Sequence, residues 1–280
     1  MPIYDQGYRR YEAREALRSV RFWPITREGL SLILAKRAFL LLFGVAWLPF
    51  VACVVWVLVV TKVPQFEAAL PIDGRLFGQF LAMQGFWTLL LSVFGGAGLV
   101  ANDLRTGAIL VYLSRPLTRR DYVLGKLGVL MALNLGVTLL PGLLLYVVGL
   151  GLAPEQYLKW ELWWIAPAIV AQASLMSLAI SVVALAVSSL SRSARIAGLS
   201  FFGLVVGLDV ARGILVNIVR AEWASVVSLQ GNLEAVAVAL FGIAGRRTAE
   251  PAWAAAVLAL CIVASLLVLR SRVRAVEIVK

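Results

Sequence analysis

The chain has 280 residues, of which 61% are hydrophobic and only 15% charged, with a mean hydropathy of +0.91; this lies well outside the range of soluble domains and marks an integral membrane protein. The net charge of +11 invites a nucleic-acid reading, but the basic residues flank apolar runs and form no stripe with aromatics, so topology and lipid headgroups account for them and nucleic acid is not an expected partner. Histidine is absent, which removes imidazole zinc sites, Ser-His hydrolysis and histidine proton relays.

Residues 1–38 form a polar cytoplasmic arm, a start that argues against a cleavable signal peptide. Within it, RFWPITREGLSLILAKR (21–37) joins Phe22, Trp23, Ile25, Leu30, Ile33 and Leu34 to flanking charges. Thr26, following Pro24 and Ile25, suits an N-cap, and the segment reads as an amphipathic helix in the cytoplasmic interface; an extension of span one is the alternative.

A spanning helix needs ~20 apolar residues, and six runs qualify: about 39–60, 77–101, 128–151, 163–190, 197–219 and 252–270. The fold class is therefore an all-α integral membrane protein, with a six-helix transmembrane domain over 39–270 and a cytoplasmic basic tail at 271–280. Pro49 and Pro141 lie mid-span and are expected to kink their helices or free a carbonyl. Cys53 and Cys261 fall inside apolar runs and read as small hydrophobes, not as a disulfide or metal pair. No metal site is expected. Trp160, Trp163 and Trp164 before span four and Trp253 at the start of span six fit an aromatic belt at the outer interface. The external stretch 220–251 is apolar in part but broken by Gly231, Asn232 and Glu234, so short re-entrant or surface helices are expected there, with a seventh span as the alternative.

Six spans put both termini on one side. Of the 26 Lys and Arg residues, 19 fall in the N-terminal arm, the 102–127 loop, the 191–196 loop and the tail, and six on the opposite side. Acidic residues divide evenly, so the positive-inside rule places both ends in the cytoplasm.

The 102–127 loop holds most of the internal polar chemistry. LRTGAILVYL (104–113) has the pattern of a short amphipathic helix, Pro116 disfavours helix at Arg115, and Thr118-Arg119-Arg120-Asp121 is a capping-box pattern leading through Tyr122 to Lys126 into span three. An ordered element of this kind offers a partner a rigid handle on two spans; an ordinary positive-inside anchor is the competing explanation. The succession Asp103, Gly107, Leu113-Ser114, Pro116, Thr118-Arg119, Tyr122 and Gly125-Lys126 resembles the cytoplasmic loop of ABC-2 type transporter permeases, and so does the layout of interfacial helix, six spans and short external helices. That resemblance implies a coupling helix over 103–114 that docks on an ATP-binding subunit, with Asp103, Arg105, Gly107, Leu110, Leu113, Pro116 and Arg119 as its residues. It also implies two copies of the ATPase, a second permease subunit, identical or homologous, and a bacterial cytoplasmic (inner) membrane location. No G-x-x-x-x-G-K-[ST] stretch occurs, so ATP and magnesium are expected on the partner and no cofactor or enzymatic activity on this chain.

Asp209 and Arg212 sit three apart in span five and suit mutual neutralisation, either along a translocation path or as packing. Gln84, Asn134, Gln172 and Asn217 are intramembrane polar groups suited to interhelical hydrogen bonds, Gln84 and Asn217 also being candidates for a pathway. Gly203 and Gly207 form a GxxxG motif, a possible dimer seam or a close approach within one subunit. Three rivals to the exporter reading follow: an ion-coupled secondary transporter built on Asp209 and Arg212, an intramembrane enzyme, and a non-transporting scaffold or sensor bound to an ATPase. The transported substrate is not legible in the sequence.

Overall fold

The computed structural model describes residues 21–62, 73–113, 117–152, 163–218, 222–243 and 249–272. The arm before Arg21, Pro116, Trp160 and the tail beyond Arg272 lie outside them. Regular structure among the described residues is entirely helical: α1 (Trp23–Leu34), α2 (Arg37–Val45), α3 (Leu48–Lys62), α4 (Gly74–Leu91), α5 (Ala97–Thr106), α6 (Ala108–Leu113), α7 (Arg119–Leu152), α8 (Ile165–Leu190), α9 (Ala194–Ile218), α10 (Leu229–Leu240) and α11 (Pro251–Arg272), with a π-turn at Ser92–Gly96 and a 3-10 turn at Glu222–Val227. Six stretches are long and apolar enough to cross a membrane: Arg37–Lys62, Gly74–Thr106, Arg119–Leu152, Ile165–Leu190, Ala194–Ile218 and Pro251–Arg272. The protein is a multi-pass helical membrane protein, and these stretches are spans one to six.

Span four is the hub. It packs against spans two, three, five and six and against α10, and 67% of its most apolar window is buried, against 11% for span five. Its sequence is dense in Ala and Ser, and small side chains let neighbouring backbones approach where no water competes for their polar groups. Asn134 of span three donates to Ser92 of span two and Ser181 of span four at 3.0 and 3.1 Å, tying three helices at a fully buried point.

Three interruptions shape the bundle. Pro49 lacks the N–H that would bond back one turn, and span one breaks at Ala46 and Trp47; the side-chain amide of Gln84 donates to the Ala46 carbonyl at 3.2 Å. Pro141, by contrast, sits inside α7 without ending it. The second interruption is the π-turn in span two, which disturbs the regular ladder. Ser188 of span four inserts directly after it: its hydroxyl accepts from the Val100 and Ala101 N–H groups at 3.3 and 3.1 Å and donates to the Ala97 carbonyl at 2.7 Å. The third is Gly107, at φ +70°, a left-handed conformation that glycine adopts freely at a helix C-terminus.

Gly107 corrects one expectation. Residues 104–113 do not form a single helix: span two runs on to Thr106, and only Ala108–Leu113 form the following helix. Thr26 is likewise not an N-cap. Helix α1 begins at Trp23, with Pro24 in its first turn, where a missing N–H costs nothing, and the Thr26 hydroxyl instead donates to the Gly125 carbonyl of α7 at 3.0 Å. Extended backbone at Lys36 separates α1 from span one, so α1 is no simple extension of it. Between spans five and six, no seventh spanning helix occurs among the described residues; α10 packs on spans two, four, five and six.

Ser188→Ala removes the hydroxyl that serves three backbone groups of span two, and is expected to cost about 1–3 kcal/mol. Ser189→Ala, whose hydroxyl bonds only a carbonyl of its own helix, is expected to cost less. Thermal unfolding in detergent checks this, and equal melting points for the two variants would contradict it.

Candidate functional site

At the end of the bundle that carries the 102–127 loop, Asp103 of α5 faces Tyr122 and Lys126 of α7. The last two are four residues apart and so share one helical face. Asp103 Oδ2 lies 2.7 Å from Lys126 Nζ and accepts a 2.8 Å hydrogen bond from the Tyr122 hydroxyl. The Lys126 and Asp103 side chains are only 9% and 17% exposed. An ion pair so placed gives up hydration on both sides, and only good geometry with further partners recovers it. Here the rings of Tyr112 and Tyr122 supply those partners, with centroids 5.6 and 5.5 Å from Nζ, so that aromatic faces replace part of the ammonium's water.

Tyr112 reaches this point because Gly107 turns the chain back at the end of span two. The two tyrosine rings stand 5.5 Å apart, and Ile109, also buried, packs with Tyr122. Helix α6 is thereby fastened to the ends of both spans. The start of α7 is fixed by the expected capping box: the Thr118 N–H donates to Asp121 at 2.9 Å, and the Asp121 N–H donates to the Thr118 hydroxyl at 3.2 Å. On its other side α7 carries α1 at close range, since a Cβ at Gly125 would fall 2.7 Å from Ile25 and one at Gly128 2.8 Å from Thr26.

Of the loop residues named from sequence, the structure brings Asp103 and Gly107 into this arrangement. Arg105 and Arg119 are exposed beside it, Leu110 and Leu113 lie on the helical backbone of α6 with side chains outside the described residues, and Pro116 is outside them altogether. Tyr112 was missed, and Tyr122 and Lys126 were read only as parts of a pattern. A basic residue two turns inside span three, opposite an acidic residue near the end of span two, was the available signal.

A second polar cluster lies toward the other end. Arg212 Nε is 3.2 Å from Asp209 Oδ1, and Arg212 Nη1 donates to Glu234 Oε2 of α10 at 2.9 Å. The expected pair is therefore part of a triad that ties span five to α10. Ser228 strengthens the tie: it donates to Asp209 at 3.0 Å while capping α10 through the Gly231 N–H at 2.7 Å. The triad borders a cavity of about 580 Å³ between spans two, four and five and α10, which Gln172 and Gln230 also line. Glu234 was visible in sequence only as a break in an apolar stretch.

The other candidates are placed apart from both clusters. Gln84 is buried, its Nε2 donating to the Ala46 carbonyl while its Oε1 has no hydrogen-bond partner among the described residues, and Asn217 donates to Gly213 of its own helix from an exposed position. A Cβ at Gly203 or Gly207 would meet nothing within 4 Å, so the GxxxG motif makes no close approach among the described residues. Cys53 and Cys261 are free thiols. Among the described residues no cluster of three or more His, Cys, Asp or Glu side chains is placed to hold a metal. The sequence matches no protein-family model and no curated protein.

Asp103→Asn or Lys126→Met alone strands one member of a buried pair, and each is expected to lower stability by about 3 kcal/mol. The double variant is expected to lose less than the sum of the two. A thermal-melting cycle on the four proteins in detergent measures this, and strict additivity would show that the pair is not coupled.

Proposed function

We propose that the chain is the membrane-spanning permease subunit of an ATP-driven ABC-2 type exporter in a bacterial cytoplasmic membrane, both termini cytoplasmic, working with two copies of an ATP-binding subunit and a second permease subunit. The observation that carries this reading is the fastening of α6 to spans two and three through Asp103, Lys126, Tyr112 and Tyr122. A six-residue helix hung on a glycine would move freely if it were only a tether; one locked by an ion pair and two rings transmits displacement.

In this reading α6 is the coupling helix and α1 the interfacial helix. ATP binding closes the partner ATPases, α6 follows them, and spans two and three move with it between two arrangements that open the path to either face. Helix α1 moves with span three because Thr26 holds it to Gly125. ATP and magnesium belong to the partner, since the sequence has no G-x-x-x-x-G-K-[ST] stretch. The exposed Arg105 and Arg119 are the polar contacts offered to it.

The Asp209–Arg212–Glu234 triad beside a cavity favours a second reading, an ion-coupled carrier in which those carboxylates carry the coupling. A detergent pull-down against the ATP-binding proteins of the source cell separates the two. Capture of an ATPase, lost in the Arg105→Glu/Arg119→Glu variant with its melting point unchanged, is expected for the permease. If the intact chain captures no ATPase, and transport follows an ion gradient and ignores ATP, the carrier reading replaces it.

A further inference from the structure

We infer that the outer face of span three, beyond the end of α1, is a binding site for an anionic phospholipid, with the headgroup on Lys36 and Arg37 and one acyl chain in the groove beneath them. Gly125, Gly128, Ala132, Gly136, Leu143 and Val147 follow one another along α7 at helical spacing and so lie on one stripe. Its first part is covered by α1, whose Ile25 and Thr26 stand against Gly125 and Gly128. Helix α1 ends at Leu34. From Ala132 to Val147 the same stripe is an open groove of about 460 Å³, and every residue that lines it is apolar.

The mouth of the groove lies at the membrane surface, because Arg37 is the first residue of span one. Phe43 comes within 3.1 Å of where a Cβ at Gly136 would stand, which puts Arg37 about 9 Å and Ala132 about 6 Å above that point at 1.5 Å per residue. Lys36 and Arg37, both exposed, thus stand within a turn of the groove's upper end. Neither forms an ion pair among the described residues, and the first turn of α2 holds no acidic residue. Glu28, the nearest acidic residue along the chain, is about 12 Å back along α1 and adjoins Arg27. Two cations at headgroup depth attract a headgroup of net negative charge; a zwitterionic one brings its own ammonium and gains less. The groove accounts for the tail. It runs about 22 Å along α7, against roughly 15 Å of hydrocarbon in one leaflet. Spread over that length its volume is a slot one hydrocarbon chain wide, too narrow to admit a helix about 10 Å across. The site depends on the bilayer alone, so it stands whether or not an ATPase docks on α6.

Native mass spectrometry of the delipidated, full-length protein in detergent, titrated with equal amounts of dioleoyl phosphatidylglycerol and dioleoyl phosphatidylcholine, tests the inference. Phosphatidylglycerol is expected to bind first and about tenfold more tightly. Lys36→Gln/Arg37→Gln is expected to remove that preference, whereas Arg270→Gln/Arg272→Gln, which takes the same charge from exposed residues at the end of span six, keeps it. Ala132→Trp and Leu140→Trp, each of which fills the groove from an exposed position, are expected to weaken phosphatidylglycerol binding severalfold. Melting points matched to wild type confirm that each variant is folded; either groove variant suffices, and Lys36→Gln alone replaces the double variant if that is not folded. Three outcomes overturn the site: no preference for phosphatidylglycerol in the wild type, as when a second copy of the chain covers the groove; equal loss in the two charge variants, the mark of a diffuse surface effect; or unchanged affinity in the folded groove variants.

Discussion

A backbone carbonyl or N–H left without a partner in hydrocarbon costs several kcal/mol, and the architecture follows from how that constraint is met wherever a helix is interrupted. Uninterrupted helices satisfy themselves; the breaks need help from a neighbour, and the helper then fixes which neighbour stands beside the break. Gln84 answers the Ala46 carbonyl and so places span two against the kink of span one. Ser188 answers the groups next to the π-turn and places span four against span two. Gln172 adds a bond to the Leu233 carbonyl within the unbroken α10 and so seats that helix among the spans. Apolar packing alone specifies little between helices already surrounded by lipid tails, so these polar contacts carry much of the specificity.

The same constraint explains where charge is tolerated. Asp103 and Lys126 are buried as a pair near the end of two spans, with two aromatic rings closing over the ammonium. Arg212 is held between carboxylates from two different elements. In both places a charge bridges segments distant in sequence, and each bridge fastens a short helix, α6 or α10, that has too little surface of its own to hold its position.

The spans were legible because twenty-residue apolar runs survive any error in packing, and the capping box at Thr118 because its residues are adjacent in sequence. Gly107 was misread for the opposite reason: LRTGAILVYL keeps an amphipathic pattern straight through it, and only the backbone conformation shows that the helix ends there. Thr26 followed Pro24 as an N-cap would, yet its hydroxyl is spent on a helix about a hundred positions away. Long-range partners of this kind leave no local trace. Glu234 illustrates the limit for the charged cluster: Asp209 and Arg212, three apart, propose themselves as a closed pair, and nothing in their spacing announces a third member on α10.

Span two joins the two clusters. It carries Asp103 at one end and Phe86 at the cavity, about 25 Å apart along a helix at 1.5 Å per residue. Between them lies the π-turn Ser92–Gly96, where the span depends on its neighbours: on Ser188 just beyond it, on Asn134 at Ser92, and on Leu130 and Phe39 against Gly96 and Gly95. A displacement of the Asp103–Lys126 lock moves the ends of spans two and three together, because the ion pair joins them. Ser188 belongs to span four, which carries no part of that lock. Relative motion between the locked pair and span four therefore falls on the contacts around the π-turn, the part of span two with the weakest ladder of its own. Beyond it, the wall bearing Phe86 faces Met176 of span four and Phe202 of span five. If ATP-driven motion enters at α6, the π-turn is the place where it is converted into a change in the shape of the cavity.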